Sequence, residues 1–421
     1  MTLALDGGTP VRTRPLPTGK GSELLGAQER EAVLRVLDRG ALFRYYGPVP
    51  PQEVAAFESE VGALLGARAV AVSSGTAALR TALAALGIGP GDEVVVPACT
   101  FVASVNAVVL AGALPVFAEV DDTLCLDAAS VASVLTPRTA AVMPVHLDNG
   151  QADLDALLAV TGPAGVAIVE DTAQSMGVTL HGRRLGTIGD IGAFSMQLDK
   201  NITTGEGGVV VTCDERLALR AAAFQDQGGH FLTQHGAGRD HAPEPFVGDN
   251  LRLTELQGAL ARAQLARLDG LLDRMRAAKA RILATVGPLD GVARRRYPDP
   301  LGEGGSGIAL LLPDSATAAR FAEALCAEGV PAGSPYGGLP VYATPAVLEQ
   351  RTASMKGHPW HVPGVAPYAM GMCPQTEDLL RRTVRIGVSP AYDDSDCDDV
   401  ATALRKVADG VLHGMASGVP A

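Results

Sequence analysis

Short apolar runs alternate with helix-like stretches through the first half of the chain. The runs that predict buried strands are residues 68–72, 94–96, 114–120, 140–145 and 166–169. Apolar residues recur at helical spacing in 52–65, so we predict the first helix of the chain there. A second helix is predicted at 76–86. Buried strands that alternate with helices predict a mainly parallel sheet covered on both faces. Two more runs, 192–196 and 207–212, are close enough in sequence to pair antiparallel.

The pattern changes after residue 228. Residues 228–245 are rich in Gly, His, Gln and Pro and predict a long loop, a kind of segment that is often functional. Apolar residues from 253 to 275 then mark one long amphipathic helix. A second α/β unit follows, and its predicted elements are a strand at 308–312, a helix capped by Ser315 and ended by Gly329, and a last helix at 395–411. Residues 334–372 give no clear element.

A length of 421 residues allows two or three domains. The pattern favours two. We expect an N-terminal arm and a large cofactor-binding domain at 1–250, followed by a linking helix and a small C-terminal domain at 251–421.

Composition narrows the classes of function. The chain has 34 Lys and Arg against 46 Asp and Glu, a net charge of −12, which argues against broad contact with nucleic acid or an anionic membrane. The longest apolar run, 107–118, is too short to span a bilayer, and the first residues form no apolar signal region. The six cysteines form no C-x-x-C pair, so we expect reduced thiols in a cytoplasmic protein, with no metal site.

The most informative stretch is FSMQLDKNITTGEGGVVVT, residues 194–212. Lys200 follows a strand-like run and precedes a turn whose glycines let the backbone bend sharply. A lysine held in a pocket there can lose its proton and form a Schiff base with an aldehyde cofactor. From this stretch alone, a surface lysine in a hairpin loop is an equally good interpretation.

An acid ends one of the predicted strands, in VEDTAQSMG at 169–177. The carboxyl end of a buried parallel strand is where α/β sheets bind ligands. Asp171 in that position can keep a pyridinium nitrogen protonated, the partner that makes pyridoxal phosphate an electron sink. Alternatively, Glu170 and Asp171 only cap the following helix.

A third stretch, AVSSGTAAL at 71–79, runs from a strand into a helix. Free N–H groups and hydroxyls at a helix N-terminus form a natural binding site for phosphate. Taken by itself, the same pattern is also common N-capping.

Together these stretches resemble the DegT/DnrJ/EryC1/StrS family of pyridoxal-phosphate-dependent aminotransferases, which modify sugars and cyclitols. The resemblance extends from about residue 40 to 283, and more loosely into the C-terminal part. Its pieces occur in the family's order: SSGTAAL, GIGPGDEVVVPACTF, ITTGEGG after the lysine, and GDNLRLTELQGALARAQLARL. It implies an α/β fold of the fold-type I class, with a mainly parallel seven-stranded sheet in the large domain and a smaller C-terminal α/β domain.

The resemblance also implies roles for individual residues. Lys200 would be the catalytic Schiff-base lysine, which also moves a proton, and Asp171 the partner of the pyridine nitrogen. The other implied cofactor-binding residues are Gln174 near the phenolic oxygen, Phe101 against the ring, Gly75, Thr76 and Ser195 at the phosphate, and Asn250 reaching the phosphate bound by a neighbouring subunit. The last role implies a homodimer with shared active sites. Phe101 as plain core packing and Asn250 as a helix cap remain open.

Two departures from the family pattern concern the substrate. Asp148 stands where the family usually has an aromatic residue, so the usual sugar need not be the substrate. In FQDQGGH, Gln227 replaces an expected histidine. The candidate substrate residues are Arg44, Tyr45, Tyr46, Asp148, His230 and Tyr336.

The expected reaction is transamination from L-glutamate or L-glutamine to a keto-sugar or keto-cyclitol, in secondary-metabolite or polysaccharide biosynthesis. A pyridoxal-phosphate-dependent lyase or dehydratase is the nearest alternative, although some dehydrating relatives carry a histidine where this chain has Lys200. A non-catalytic cofactor-binding regulator is disfavoured by the intact Lys200 and Asp171. A nicotinamide-dependent dehydrogenase is disfavoured because no G-x-G-x-x-G turn follows the first strand.

Overall fold

The computed structural model describes residues 2–231, 246–353, 356–361 and 364–413. A seven-stranded sheet is built by β1 (Arg68–Val72), β2 (Glu93–Pro97), β3 (Leu114–Ala118), β4 (Thr139–Val142), β5 (Ala167–Asp171), β6 (Ile191–Ser195) and β7 (Gly208–Thr212). The strands lie in the order β1-β7-β6-β5-β4-β2-β3. Every neighbouring pair is parallel except that β7 is antiparallel to β1 and to β6. The predicted seven-stranded, mainly parallel sheet is confirmed.

Alternate residues of the central strands enter different cores. Val94 and Val96 pack with the helices on one face of the sheet, whereas Val95 packs on the other, as expected for strands buried on both sides. The helices of this half are α1 (Ala27–Arg39), α2 (Glu53–Leu65), α3 (Gly75–Leu86), α4 (Val102–Leu110), α5 (Ala128–Val134), α6 (Leu154–Ala164) and α7 (Glu215–Phe224). A small hairpin pairs Thr179–Leu180 with Arg183–Arg184.

A smaller antiparallel sheet lies in the second half of the chain. Its strands are β8 (Ala293–Arg294), β9 (Gly307–Leu311), β10 (Ala332–Gly333) and β11 (Thr383–Gly387), in the order β8-β9-β11-β10. The helices here are α8 (Glu255–Leu265), α9 (Leu268–Val286), α10 (Ser315–Ala327), α11 (Pro345–Leu348), α12 (Pro374–Arg382) and α13 (Asp394–Ala408), which a π turn at Asp409–His413 follows. Short 3₁₀ turns lie at Ala4–Asp6, Gly21–Leu24, Leu147–Asn149, Pro335–Gly338 and Val341–Ala343.

Helix α9 serves both halves. Its first part, with Leu272 and Met275, packs in a core with strands of the large sheet, and its second part, with Ile282, packs in the core of the small sheet. The N-terminal segment also belongs to the second core, because Leu3 and Leu16 are buried there. The chain therefore begins against the small sheet and then crosses back toward the large one.

Several expected boundaries are wrong. The helix at residues 52–65 is not the first one, since α1 precedes it. Helix α1 is capped at its C-terminal end by Gly40, whose φ of 69° is typical of a glycine C-cap. The linking helix is broken at Ala266 and Arg267 into α8 and α9. Asp314, not Ser315, caps α10, because its side chain accepts the N–H of Thr317.

The C-terminal part differs from its prediction too. The last α-helix ends at Ala408 rather than near residue 411, and the chain continues there as a wider π turn. Residues 334–372, which gave no clear element, contain two 3₁₀ turns and the four-residue α11. Residues 232–245 of the predicted long loop lie outside the described residues.

Candidate active site

A cavity of about 700 Å³ lies where the two sheets meet. Three of its lining residues follow strands of the large sheet: Asp148 lies beyond β4, Gln174 beyond β5 and Lys200 beyond β6. The small sheet contributes Arg385 from β11, and the N-terminal segment contributes Lys20. The cavity is thus at the carboxyl edge of parallel strands, where the sequence places the cofactor site.

Lys200 lies in the loop between β6 and β7. The burial of its amine lowers the pKa of Lys200 below that of a free lysine, although the nearby carboxylates of Asp171 and Asp199 oppose the shift. The adjacent Asn201 is buried and exchanges two amide hydrogen bonds with Asn149, at 2.7 and 3.0 Å, which fixes this loop against the loop after β4. The lysine is therefore held at the cavity with an amine that gives up its proton readily.

Asp171 is the last residue of β5 and is buried. Its Oδ2 accepts a hydrogen bond from Ser104 Oγ at 2.7 Å, and its Oδ1 accepts one from the backbone N–H of Ala173 at 3.1 Å. Burial raises the pKa of Asp171, and these two hydrogen bonds oppose the rise by stabilising the carboxylate. The Ser104 hydroxyl also shares a 2.8 Å hydrogen bond with Thr100, so a chain of hydroxyls from α4 orients the acid.

Glu170, next to Asp171, has a separate structural role. It is fully buried, and its two carboxylate oxygens accept the backbone N–H groups of Gly186, Ile188 and Gly189. His146 Nε2 lies 3.1 Å from Glu170 Oε2, and the ring's Nδ1 accepts the N–H of Ala152. Because Nδ1 is an acceptor, Nε2 carries the proton and donates to Glu170. Neither acid caps a helix, which answers the alternative interpretation of this stretch.

The three predicted phosphate residues lie around the start of α3. Ser74 caps this helix by accepting the N–H of Ala77, and Gly75 and Thr76 are its first two residues. A Cβ added at Gly75 would lie 2.6 Å from the Cβ of Ser195 at the end of β6, so only a glycine lets the helix approach the strand this closely. The structure therefore brings Gly75 and Ser195 together as predicted.

Phe101 immediately precedes α4 and is 57% exposed. A phenylalanine this exposed is not core packing, which removes one of the two interpretations of its role. Its position just before the helix that carries Ser104 leaves a flat apolar surface beside the acid's hydrogen-bond network.

Gln174, Asp148 and Tyr336 form a hydrogen-bonded set at the cavity. The Gln174 side chain accepts the backbone N–H of Asp148 at 2.9 Å and donates to the hydroxyl of Tyr336 at 3.1 Å. Tyr336 comes from the segment after the small sheet's β10 and has a φ of 49°. Burial raises the pKa of the Tyr336 hydroxyl, so it stays protonated at neutral pH.

Asp148 is paired rather than free. Arg385 donates to both of its carboxylate oxygens, at 2.5 and 2.7 Å, and Ser306 donates to Oδ1 at 3.0 Å. Burial alone would raise the pKa of Asp148, but the positive charges of Arg385 and Lys20 more than offset it and hold the pKa far below its ordinary range. The acid that departs from the family pattern thus links the large sheet's loop to the small sheet.

The remaining substrate candidates lie in another region. Arg44 donates to Glu58 at 2.7 Å and to the backbone oxygen of Ala71 at 3.0 Å, and the Tyr45 hydroxyl accepts from Gln225. The rings of Phe43, Tyr45, Tyr46, His230 and Phe231 form an aromatic cluster, with centroids 4.8–6.3 Å apart. The structure does not bring these side chains to the cavity that Lys200 lines.

Asn250 is exposed and lies next to α8, which begins five residues later. It forms an isolated antiparallel bridge with Asp226, whose carboxylate is paired with Arg252 at 2.9 Å. Thr254, not Asn250, caps the following helix. The helix-cap interpretation of Asn250 is therefore wrong, and its role at a neighbouring subunit's phosphate stays a prediction.

Sequence reasoning missed three cations of the cavity: Lys20, Arg295 and Arg385. Each lies in a segment without a recognisable motif, and each reaches the cavity only because the N-terminal segment and the small sheet fold against the large one. One signal was available for Lys20, since the chain contains only five lysines and two of them line this cavity.

The residues present fit the pyridoxal phosphate that the resemblance implies. A buried acid, a lysine with a lowered pKa and an exposed aromatic ring accompany a glycine whose missing Cβ lets a helix start against Ser195.

Within the described ranges, no group of three His, Cys, Asp or Glu side chains could hold a metal ion. Of the helices described, none is long and apolar enough to cross a membrane.

Known proteins of one family match this chain over most of its length. The profile of the DegT/DnrJ/EryC1/StrS aminotransferase family matches residues 24–405. The L-glutamine:2-deoxy-scyllo-inosose aminotransferase of Streptoalloteichus tenebrarius is 35% identical over 96% of this chain and 97% of its own length. Among solved structures, DesV of S. venezuelae in complex with a ketimine intermediate is 32% identical and superposes with a TM-score of 0.78, over 94% of this chain and 99% of that one. The structure of 3-amino-5-hydroxybenzoic acid synthase is 29% identical with a TM-score of 0.78, over 95% and 99%.

Proposed function

Since the chain belongs to the DegT/DnrJ/EryC1/StrS aminotransferase family, we propose that it moves an amino group from L-glutamine or L-glutamate to a keto-cyclitol or keto-sugar. It is a pyridoxal-phosphate-dependent aminotransferase of fold type I. The observation that carries the proposal is Lys200, held at the cavity with a lowered pKa within reach of the charge of the buried Asp171. The relative named for L-glutamine and an inosose, at nearly full length, favours that donor and a cyclic keto-polyol as the acceptor.

When bound, the cofactor supplies an electron sink for the charge that develops on the substrate carbon. Lys200 Nζ is the base that removes a proton from the donor's α-carbon, and the acid that returns one to the acceptor's carbon. Burial lowers the pKa of Lys200, so the neutral amine that can take up the proton forms more readily than in a free lysine. Asp171 would hold the ring nitrogen's proton, and the hydrogen bond from Ser104 orients that carboxylate and favours its ionised form.

Other residues would hold the cofactor or exclude water. Gly75, Thr76 and Ser195 would bind the phosphate at the N-terminal end of α3, Phe101 would lie against the ring, and Gln174 would donate near its oxygen. Tyr336 covers Gln174 from the second half of the chain.

The proposal extends to the assembly and the location. The exposed position of Asn250 supports its contact with a second copy, so we propose a homodimer with shared active sites. The small sheet's core, whose buried members are Leu3, Leu16 and residues between 278 and 411, supports a separate C-terminal domain. Leu253 and the first part of α9 pack with the large sheet, so they extend the large domain beyond residue 250. The six cysteines are unpaired, which supports a cytoplasmic location.

The test is a single half-reaction. The visible absorbance of the protein loaded with pyridoxal phosphate should change when L-glutamine is added. The original absorbance should return when a keto-cyclitol such as 2-deoxy-scyllo-inosose is then added. Lys200→Ala should slow the first change by about 10²–10⁴-fold, the usual contribution of a positioned acid–base group. Lys356→Ala is the matched control, because Lys356 is exposed and does not line the cavity. Full turnover in Lys200→Ala would contradict the mechanism, and ammonia release without amino transfer would point to a lyase.

A further inference from the structure

The cavity contains more positive charge than the chemistry above uses. Its lining includes four cations, Lys20, Lys200, Arg295 and Arg385, and two carboxylates, Asp148 and Asp199. Asp148 is fully engaged by Arg385 and Ser306, and Lys200 performs the proton transfer. Lys20 and Arg295 are left without an assigned role.

The position of Lys20 is fixed from both sides. The backbone oxygen of Gly19 accepts a 2.7 Å hydrogen bond from Ser389, which follows the small sheet's β11. The backbone N–H of Gly21 donates a 3.0 Å hydrogen bond to the oxygen of Lys200. A Cβ at Gly21 would lie 2.7 Å from the oxygen of Asn201, so the segment packs closely on the catalytic loop. The side chain of Lys20 is therefore held at the cavity by two contacts of its neighbours.

The ammonium of Lys20 has no ion pair in the part of the chain that the structure describes. The charges that act on it come from Asp148, Arg385, Lys200 and Asp199, and the first of these is already neutralised by Arg385. Its burial lowers the pKa of Lys20 to about 8, which shows that the protein stabilises this charge poorly. A partly buried cation without an ion pair is unfavourable, and an anionic ligand would relieve it.

Arg295 is the second cation of the cavity without a role in the chemistry above. Its side chain is buried, its Nε donates to the backbone oxygen of Thr123 at 2.7 Å, and its Nη2 lies 3.5 Å from the sulfur of Cys125. Among the described residues no carboxylate forms an ion pair with it. The Arg295 Cζ also lies 5.1 Å from the centre of the Tyr297 ring, and the nearby charge of Asp148 favours the guanidinium. These contacts orient a charged guanidinium that no carboxylate among the described residues binds directly.

We propose that Lys20 and Arg295 bind a carboxylate group of the substrate, and that this enzyme is therefore selective for an acid. The cofactor's phosphate is not the anion in question, because the residues proposed for it lie at the start of α3 and do not line this cavity. The inference rests on the proposed function for the identity of the substrates. The carboxylate belongs either to the amino donor or to an acceptor that is a cyclic acid rather than a neutral keto-cyclitol.

Binding to the cofactor-free full chain separates the two sources without turnover. The probes are glutarate, which has the two carboxylates of L-glutamate but no amino group, quinate, which is a cyclitol acid, and the neutral scyllo-inositol. Titration calorimetry should show that the wild-type protein binds at least one acid, and that Lys20→Met weakens that binding about tenfold or more, as the loss of a charge-assisted contact predicts. Lys356→Met removes the same charge outside the cavity and should bind the acid as the wild type does.

The pattern of binding identifies the carboxylate. Weakened glutarate alone assigns the pair to the donor, and weakened quinate alone assigns it to the acceptor. Arg295→Lys keeps the charge but loses the planar guanidinium, so it should also weaken the binding of the same acid. The thermal unfolding midpoint of this variant shows whether the fold is retained. The proposal is wrong if neither acid binds the wild-type protein, or if Lys20→Met binds both as tightly. If acid binding follows the expectation but L-glutamine causes no absorbance change in the loaded protein, the proposed function fails and the acid site stands.

Discussion

Two regions of this molecule contain the same kinds of side chain and use them differently. At the cavity, Asp148 pairs with Arg385, while Lys20 and Arg295 form no ion pair with any carboxylate of the described residues. In the aromatic cluster around Phe43, Arg44 is bound by Glu58 and by a backbone oxygen, and the Tyr45 hydroxyl is bound by Gln225. A polar residue in a loop is therefore no guide to a binding site until its partners are known.

The difference also separates stability from function. Fully paired groups such as Arg44 hold segments of the fold together. A partly buried cation such as Lys20, which forms no ion pair with the described residues, is unfavourable for the folded state. Residues that are unfavourable for folding are retained at sites where a bound ligand neutralises their charge. The following expectations test that contrast, from the largest effect to the smallest.

The largest effect is expected at Asp171. Asp171→Asn removes the negative charge next to the ring nitrogen and should lower kcat of the loaded enzyme by about 10²–10⁴-fold, a loss comparable to that of an acid–base group. Ser104→Ala should lower it by less, since the Ala173 N–H still binds the carboxylate. Stopped-flow absorbance of the donor half-reaction measures both. Equal rates in Asp171→Asn and wild type would rule out its role at the cofactor.

Arg44 and Lys20 should respond to substitution in opposite ways. Arg44→Met leaves Glu58 without its partner and should reduce the free energy of unfolding by about 2–3 kcal/mol, somewhat below the value for a fully buried pair. Lys20→Met removes a poorly stabilised charge and should leave that free energy unchanged or raise it. Urea unfolding followed by circular dichroism compares the two. The contrast between the regions is lost if Lys20→Met is the more destabilised variant.

The acid site should depend on pH. The charged form of Lys20 binds the carboxylate, and its pKa is about 8, so affinity should be constant below pH 8 and fall above it by up to tenfold per pH unit. The groups that face Lys20 at the cavity are Asp148, Asp199, Lys200, Arg295, Tyr336, Arg385 and Tyr392. Among them, Lys200 also has a lowered pKa, so the titration is repeated on Lys20→Met. A fall that persists there belongs to Lys200.

The smallest effect is expected at Tyr336. Tyr336→Phe removes the hydroxyl that accepts from Gln174 at 3.1 Å, a hydrogen bond worth about 1 kcal/mol. We expect about a fivefold increase in KM for the acceptor with little change in the donor half-reaction. Steady-state kinetics at saturating L-glutamine measure this change. A loss of cofactor binding instead would show that Tyr336 acts through Gln174 on the cofactor.

The sequence indicated much of the fold because its signals there are local. Buried strands such as β5 and β6 are continuous apolar runs, and glycine caps such as Gly40 end helices in a recognisable way. Helix α1 was missed because it buries little more than Ala32 and Val36, so its charged faces resemble a loop. The break between α8 and α9 was missed because the apolar spacing continues across Arg267.

By itself, the sequence determined the sheet, the family and the residues at the carboxyl edge of the large sheet, Asp171 and Lys200 among them. These depend on strand order and on motifs that are contiguous in the chain. Only the tertiary structure decided which cations reach the cavity, because Lys20, Arg295 and Arg385 come from segments more than 80 residues apart and meet when the N-terminal segment and the small sheet fold onto the large one. Charge pairing is likewise a property of distance in space, so Arg44 and Lys20 differ only after folding.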